Sequence, residues 1–278
     1  MSRMMRILKT GYSDASTNMA IDEAILVSSA HREGAPPTLR FYGWKPPAVS
    51  IGYFQSLAGE VDLDRCRKLG VGWVRRPTGG RAVLHADEVT YSIVISEADL
   101  PGSVLETYRE LSKGLIEGFR RLGVPADMVA SGHQDLGPLI GQRSSAACFD
   151  APSWYEVVVG GKKIVGSAQT RRDGVILQHG SILLDFDVGC LLEVLAVPGG
   201  RARERLARVL EKRATSLREV LGVGNLPSFD QVVEAMVLGF EKALGYSAVP
   251  GVLTREEEDL AARLAAGKYG SDTWNRKR

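Results

Sequence analysis

The chain has 278 residues, 44% apolar and 24% charged, the balance of an ordinary globular protein with a full core, which excludes disorder over most of its length. Its net charge of +2 gives no global reason to expect nucleic acid as a partner. The three cysteines, Cys66, Cys148 and Cys190, are odd in number and far apart, which argues against a disulfide scaffold and for a reducing compartment with free thiols.

The opening residues reach Lys9, Thr10 and Gly11 before an apolar signal region develops, and no stretch approaches the roughly 20 apolar residues of a spanning helix. A cytoplasmic protein without membrane contact is expected. Met19, Ile21, Ala24, Ile25 and Val27 share a broad apolar stripe that predicts a helix over 18–31, capped by Thr17 or Asn18, with Asp22, Glu23 and Arg32 on its polar side. Short β runs follow at 39–44, 48–53, 72–76, 82–85 and 89–96, punctuated by Pro46-Pro47 and Gly79-Gly80 and interrupted by one short helix at 62–69.

Val104, Tyr108, Leu111, Leu115, Phe119 and Leu122 recur every three or four residues; Ser103 with Glu106 forms a capping box and Gly123 supplies the stop, so a helix is expected here. Residues 127–143 carry Gly and Pro without a period and read as a long loop, often a functional feature in compact domains. Strands at 154–159, 162–169 and 175–184, joined by tight turns at Gly160-Gly161 and 172–174, form an antiparallel meander. The tail is helical at 201–213, 229–244 and 254–267, the last opened by a Thr254/Glu257 capping box. Two blocks of strands with helices around them describe an α+β fold, a mixed or antiparallel sheet flanked by helices.

Cys148 stands in a run of small residues followed by Asp150 and Pro152, ahead of a hairpin carrying Lys162 and Lys163. A thiol is the best nucleophile a side chain offers near neutral pH, and an ammonium beside it favours the thiolate, so the pair suits a covalent thioester. The bland alternatives are a buried apolar cysteine and a solvated lysine. Side chains alternate along a strand, so only one of the two lysines faces a given site. Cys66 and Cys190 fit structural roles.

Arg75-Arg-Pro-Thr-Gly-Gly-Arg-Ala-Val-Leu-His85 sets two arginines at a strand end, a glycine pair at a bend and a histidine on the returning strand. Paired glycines let backbone approach a ligand; a plain glycine hairpin is the competing reading. The glycines lack Walker or dinucleotide spacing, and the scattered His31, His85, His133 and His179 give no metal-ligand spacing. His179, in mid-strand, is either a satisfied core histidine or a neutral donor to a bound acyl group.

These residues resemble the biotin and lipoate protein ligase superfamily, and within it the octanoyltransferases of the LipM type. The resemblance rests on Asn18-Met-Ala-Ile-Asp-Glu23, Arg40-Phe-Tyr-Gly-Trp44, Arg75-Arg-Pro-Thr-Gly-Gly80 with His85, Cys148-Phe-Asp-Ala-Pro-Ser-Trp-Tyr-Glu156, Lys163-Ile-Val-Gly-Ser-Ala-Gln-Thr170, Gln178-His-Gly-Ser181 and Lys268-Tyr-Gly-Ser-Asp-Thr-Trp-Asn275. It implies a biotin/lipoate-ligase-like catalytic domain over 1–248 and a helical C-terminal extension over 249–278 packed on it.

It further implies transfer of an octanoyl group from octanoyl-acyl carrier protein to a lysine of a lipoyl domain, with the glycine cleavage H protein as acceptor, in lipoate biosynthesis. By the same resemblance Cys148 is the nucleophile, and the lysine directly before the Ile/Val-x-Gly-Ser-Ala segment, Lys163, is its partner. Substrate contacts are implied for Arg75, Arg76, Gly79, Gly80, His85, Gly166, Ser167, Ala168, His179 and Gly180. No metal or other cofactor is implied, because the thioester is already activated, and a monomer is expected. The competing functions are an ATP-using lipoate protein ligase, an octanoyl amidotransferase acting from H protein, and a non-catalytic module that binds acyl chains or lipoyl domains. A basic helix with Arg201, Arg203, Arg205, Arg208 and Arg213 offers an acidic carrier a surface, against the plainer reading of a solvated face.

Overall fold

The computed structural model describes residues 3–130 and 155–278. In chain order the elements are β1 (Arg3–Ser13), α1 (Ala15–His31), β2 (Thr38–Trp44), β3 (Ala48–Ile51), α2 (Leu57–Glu60), α3 (Leu63–Leu69), β4 (Gly72–Arg75), β5 (Val83–His85), β6 (Glu88–Ser96), α4 (Val104–Arg121) and β7 (Asp127–Ala130). After the segment 131–154 come β8 (Tyr155–Val159), β9 (Lys162–Arg172), β10 (Val175–Leu183), α5 (Val188–Val194), α6 (Arg201–Arg213), α7 (Leu217–Leu221), α8 (Phe229–Leu244), β11 (Tyr246–Pro250), α9 (Arg255–Leu264) and α10 (Asp272–Asn275).

Eight strands form one sheet in the order β11-β1-β2-β6-β10-β9-β8-β7, and β4-β3-β5 form a second, smaller one. The large sheet is parallel across β11-β1-β2 and antiparallel from β2 to β7, so it is mixed. Alternation along β6 separates its two faces. Val89, Tyr91, Ile93 and Ile95 pack against Leu111, Leu115 and Phe119 of α4 and Met236 and Phe240 of α8. Full burial of each large apolar side chain there contributes about 1.5–3 kcal/mol. The opposite face carries Glu88, Thr90, Ser92 and Val94 and is covered by α1 and the small sheet, with α9 laid across α1.

Several local expectations need correction. The cap of α1 is Asp14, whose carboxylate accepts from the Thr17 amide, and the helix therefore starts three residues before 18. Asp22 and Glu23 are buried, because the middle of α1, from Asn18 to Leu26, is sandwiched between sheet and α9. Part of the region read as a loop, Asp127–Ala130, is strand, paired with β8 at the sheet edge; residues 131–143 lie outside the described residues. The capping boxes at Ser103/Glu106 and Thr254/Glu257 are formed as expected, and α9 passes into a π-helical turn at Ala265–Tyr269.

Candidate active site

The face of the large sheet opposite α4 and α8 forms the floor of a partly open pocket, about 410 Å³ of space including its solvent-filled mouth. Gly166 and Ala168 of β9 and Ser181 and His179 of β10 are opposed across the ladder, so the Ala168, His179 and Ser181 side chains and the bare backbone of Gly166 share this floor. Met19 enters from α1, Tyr42 and Trp44 from β2, Thr90 from β6, and Ser50, Arg76, Gly80, Val83 and His85 from the small sheet and its bend. Of the residues expected to touch substrate, Arg76, Gly80, His85, Gly166, Ser167, Ala168, His179 and Gly180 line this cavity.

Arg75 and Gly79 do not. The Arg75 guanidinium is turned to the carbonyl oxygens of Gly52, Tyr53, Gln55, Trp274 and Asn275 at 2.6–3.2 Å, so this arginine braces the C-terminal segment. Gly79 contributes its carbonyl, which accepts from Arg76 Nε and Nη2 at 3.1 and 2.8 Å and ties the bend back on itself. Gly80 sits at φ +92°, a left-handed conformation that suits glycine. A Cβ on Gly52 would collide with the Gly80 carbonyl oxygen, so glycine at 52 is what lets the bend descend onto the small sheet.

Many lining residues are polar, yet their polar atoms bond to one another. Asp22 accepts from Arg40 Nη1 (2.6 Å), Ser92 Oγ (2.7 Å) and the Tyr42 hydroxyl (2.8 Å) and lies 3.2 Å from His179 Nδ1, while His179 Nε2 lies 2.7 Å from Thr78 Oγ1. Burial pushes the Asp22 carboxyl up, but Arg40, His179 and Ser92 together hold it below its ordinary range. Burial, with Arg76 and His85, lowers the His179 imidazole against an upward pull from Asp22, and burial raises the Tyr42 phenol well above its usual value.

A second set repeats the pattern. His85 Nδ1 lies 2.8 Å from Glu88 Oε1 and its Nε2 2.7 Å from Ser50 Oγ, which also accepts from Arg76 Nη1 at 3.0 Å. Thr90 and Ser181 donate to the same Glu88 oxygen, whereas Glu88 Oε2 finds no hydrogen-bond partner among the described residues. Trp44 donates to Thr90 Oγ1 at 2.7 Å and stacks on His85, with 4.0 Å between centroids and 11° between planes. Glu88 Oε2 apart, the polar groups of the two sets bond to one another, so the cavity lining offers mostly carbon surface, which suits an alkyl chain.

Lys163 and Lys162 separate as alternation requires. Lys162 Nζ reaches Glu219 at 2.7 Å, whereas the buried Lys163 Nζ lies 3.1 Å from Glu156 Oε1. The β8–β9 register shifts between Val157↔Val165 and Val158↔Lys163, so Ile164 is an extra residue. Without that bulge Lys163 would share the face of Val165, under α4 and α8; with it, Lys163 joins the cavity face of the sheet. Cys148 and His133 lie outside the described residues. Cys66 is buried, its thiol pushed up to about 11 by burial and Asp62; Cys190 is exposed on α5, its thiol raised by the hydrogen bond with Asp187. Arg203 and Arg208 of α6 pair with Glu193 and Glu204. Among the described residues no cluster of His, Cys, Asp and Glu could hold a metal ion, and no helix is long and apolar enough to cross a membrane.

Asp22, Arg40, Ser50, Thr78, Glu88, Thr90 and Ser92 carry the cavity's hydrogen bonds but were not recognised from sequence as site residues. The available signal is Glu88-Val-Thr-Tyr-Ser92, whose strict alternation reads as a solvent face; here the polar side is buried, and buried polar residues in step point to a site.

The family described as the lipoyl protein ligase A/B catalytic domain matches residues 14–241. The chain is 52% identical to octanoyltransferase LipM of Symbiobacterium thermophilum over 98% of each chain, and 53% identical to octanoyltransferase LipM of Kyrpidia tusciae over 97% of each. Among solved structures it is similar to that of a bipartite archaeal lipoate protein ligase from Thermoplasma acidophilum, with a TM-score of 0.80, 30% identity and coverage of 99% of this chain and 96% of that one. The mixed sheet flanked by helices is therefore the biotin/lipoate ligase catalytic fold, and the chain belongs to the lipoyl protein ligase A/B catalytic-domain family, as an octanoyltransferase enzyme of the LipM type.

Proposed function

We propose that this octanoyltransferase takes its acyl group from octanoyl-acyl carrier protein, holds it as a thioester on Cys148, and passes it to a lysine of a lipoyl domain, with the glycine cleavage H protein as acceptor. The observation that carries the reading is Lys163, a buried ammonium on the same face of β9 as the cavity, three residues before Gly166 of its lining, which is mostly carbon surface. The strand bearing Glu156 begins at Tyr155, and Cys148 precedes it closely in the chain.

In the first step the Cys148 thiolate attacks the thioester carbonyl; the new carbon–sulfur bond forms as the carrier's carbon–sulfur bond breaks, and the departing thiolate takes up a proton. In the second step the acceptor amine attacks the octanoyl-enzyme. An amide bond forms, the Cys148 thiolate is released, and the amine's proton passes to base. Lys163 favours the thiolate and relays that proton, with Glu156 as its carboxylate partner. Residues 249–278, whose helix α9 packs on α1, act as a buttress for the catalytic domain.

Intact mass of the enzyme after incubation with octanoyl-acyl carrier protein tests this. One octanoyl adduct is expected, absent in Cys148→Ala. An unmodified wild type, or an adduct that survives the substitution, overturns the thioester.

A further inference from the structure

The bend at 76–80 closes the cavity from above, and one side chain ties it directly to the sheet below: Thr78, through His179. Thr78, His179 and Asp22 are all nearly or fully buried, so their bonds form without competing water. The direction of each bond follows from donor counting. Both oxygens of Asp22 are ringed by donors, Arg40 and Ser92 on Oδ1, Tyr42 and His179 on Oδ2. An ionised carboxylate only accepts, so the proton between Asp22 and His179 belongs to Nδ1. Arg76 and His85 face the same imidazole and oppose a second proton, as burial does. Nε2 then holds a lone pair, and the Thr78 hydroxyl donates to it.

We infer that Asp22 is a positioning residue for acyl transfer: it locks His179 in the Nδ1-protonated neutral form, and His179 Nε2 in turn pins Thr78 and the 76–80 bend over the acyl cavity. The assignment rests on the octanoyl chain occupying this cavity. The clamp acts on substrate held below the bend in ground state and transition state alike. Its loss therefore raises KM rather than lowering kcat.

The test has a spectroscopic and a kinetic arm. With ring-labelled histidine, long-range proton–nitrogen correlation NMR separates four imidazoles, and His179→Gln identifies the resonance. The expected result is Nδ1 protonated and Nε2 bare from pH 6 to 8; a protonated Nε2 in the wild type overturns the clamp. In Asp22→Asn the amide oxygen takes the place facing Arg40 and Ser92, which leaves the NH2 facing His179. The tautomer should then reverse, and an unchanged one would release Asp22 from the role. Thr78→Val removes the donor without touching the buried Asp22–Arg40 pair. It should raise KM for octanoyl-acyl carrier protein about tenfold with kcat within about twofold, and Thr78→Ser should restore KM. A KM within about twofold in Thr78→Val overturns the inference. If Cys148 forms no adduct, the thioester reading fails alone, since the tautomer in the free enzyme does not depend on it.

Discussion

Lys163 Nζ lies 3.1 Å from Glu156 Oε1, and Lys163 reaches the sheet face that Glu156 occupies because Ile164 bulges from the β8–β9 ladder. An ammonium fixed in this way, with the carboxylate beside it, is held in place at a buried position. Under the proposed chemistry it favours the Cys148 thiolate, so alkylation of Cys148 against pH is expected to show a lower apparent thiol pKa in wild type than in Lys163→Ala. Superimposable profiles would leave Lys163 without a part in activating the thiol.

The contrast between Lys163 and its surroundings shows what the sequence made legible. Helix α4, with its capping box and clean apolar period, was readable because local chemistry alone specifies it. The meander β8–β9–β10 was readable from alternation and from turns at Gly160-Gly161 and Asp173-Gly174, all with positive φ. Strands β1 and β11 were not, since each is parallel to its neighbours and meets partners distant in the chain. The buried polar network was missed for a related reason: Asp22 falls on the polar side of its helix in sequence, and only the tertiary sandwich of α1 makes it core, with Arg40 buried against it.

Arg40 and Asp22 are both fully buried and 2.6 Å apart. Removing one partner of such a pair strands the other's charge, so Arg40→Ala is expected to destabilise the fold by about 3–5 kcal/mol. Urea unfolding at neutral pH measures it. A loss within about 1 kcal/mol would mean that water or another cation reaches Asp22.

The same network sets the acid limb of stability. His179 lies below its ordinary value of 6.5 because burial disfavours the imidazolium, so the unfolded chain takes up that proton first and stability declines as pH falls below 6.5. Asp22 also lies below its ordinary value of 3.8; its contribution is full above 3.8 and is lost as pH falls through the folded value. Between pH 7.5 and 5.5, therefore, the urea midpoint of wild type should drop more than that of His179→Gln. Parallel slopes in the two proteins would show that His179 stays hydrated.

Two glycines separate contact from conformation. A Cβ on Gly52 meets the backbone of Gly80, which cannot yield without moving the bend, whereas a Cβ on Gly79 meets nothing within 4 Å. Gly52→Ala should therefore cost about 1–3 kcal/mol, while Gly79→Ala stays within about 0.5 kcal/mol of wild type. Thermal or urea unfolding of the pair checks this, and equal effects would contradict the packing of the bend on Gly52.

Met19 reaches the cavity from α1 and is 1% exposed, so its side chain is an apolar wall that shortening would move back. Burying each further methylene of a substrate contributes about 0.8 kcal/mol, close to fourfold in kcat/KM. If Met19 bounds the end of the acyl slot, Met19→Ala should shift preference toward longer chains: the ratio of kcat/KM for decanoyl over octanoyl donors should rise about fourfold for each methylene newly accommodated. The enlarged cavity should also lower stability by about 2–5 kcal/mol, which separates a folded, re-tuned enzyme from a collapsed one. Stability lost with the chain-length ratio unchanged would mean that the alkyl chain ends short of Met19 or runs in another direction.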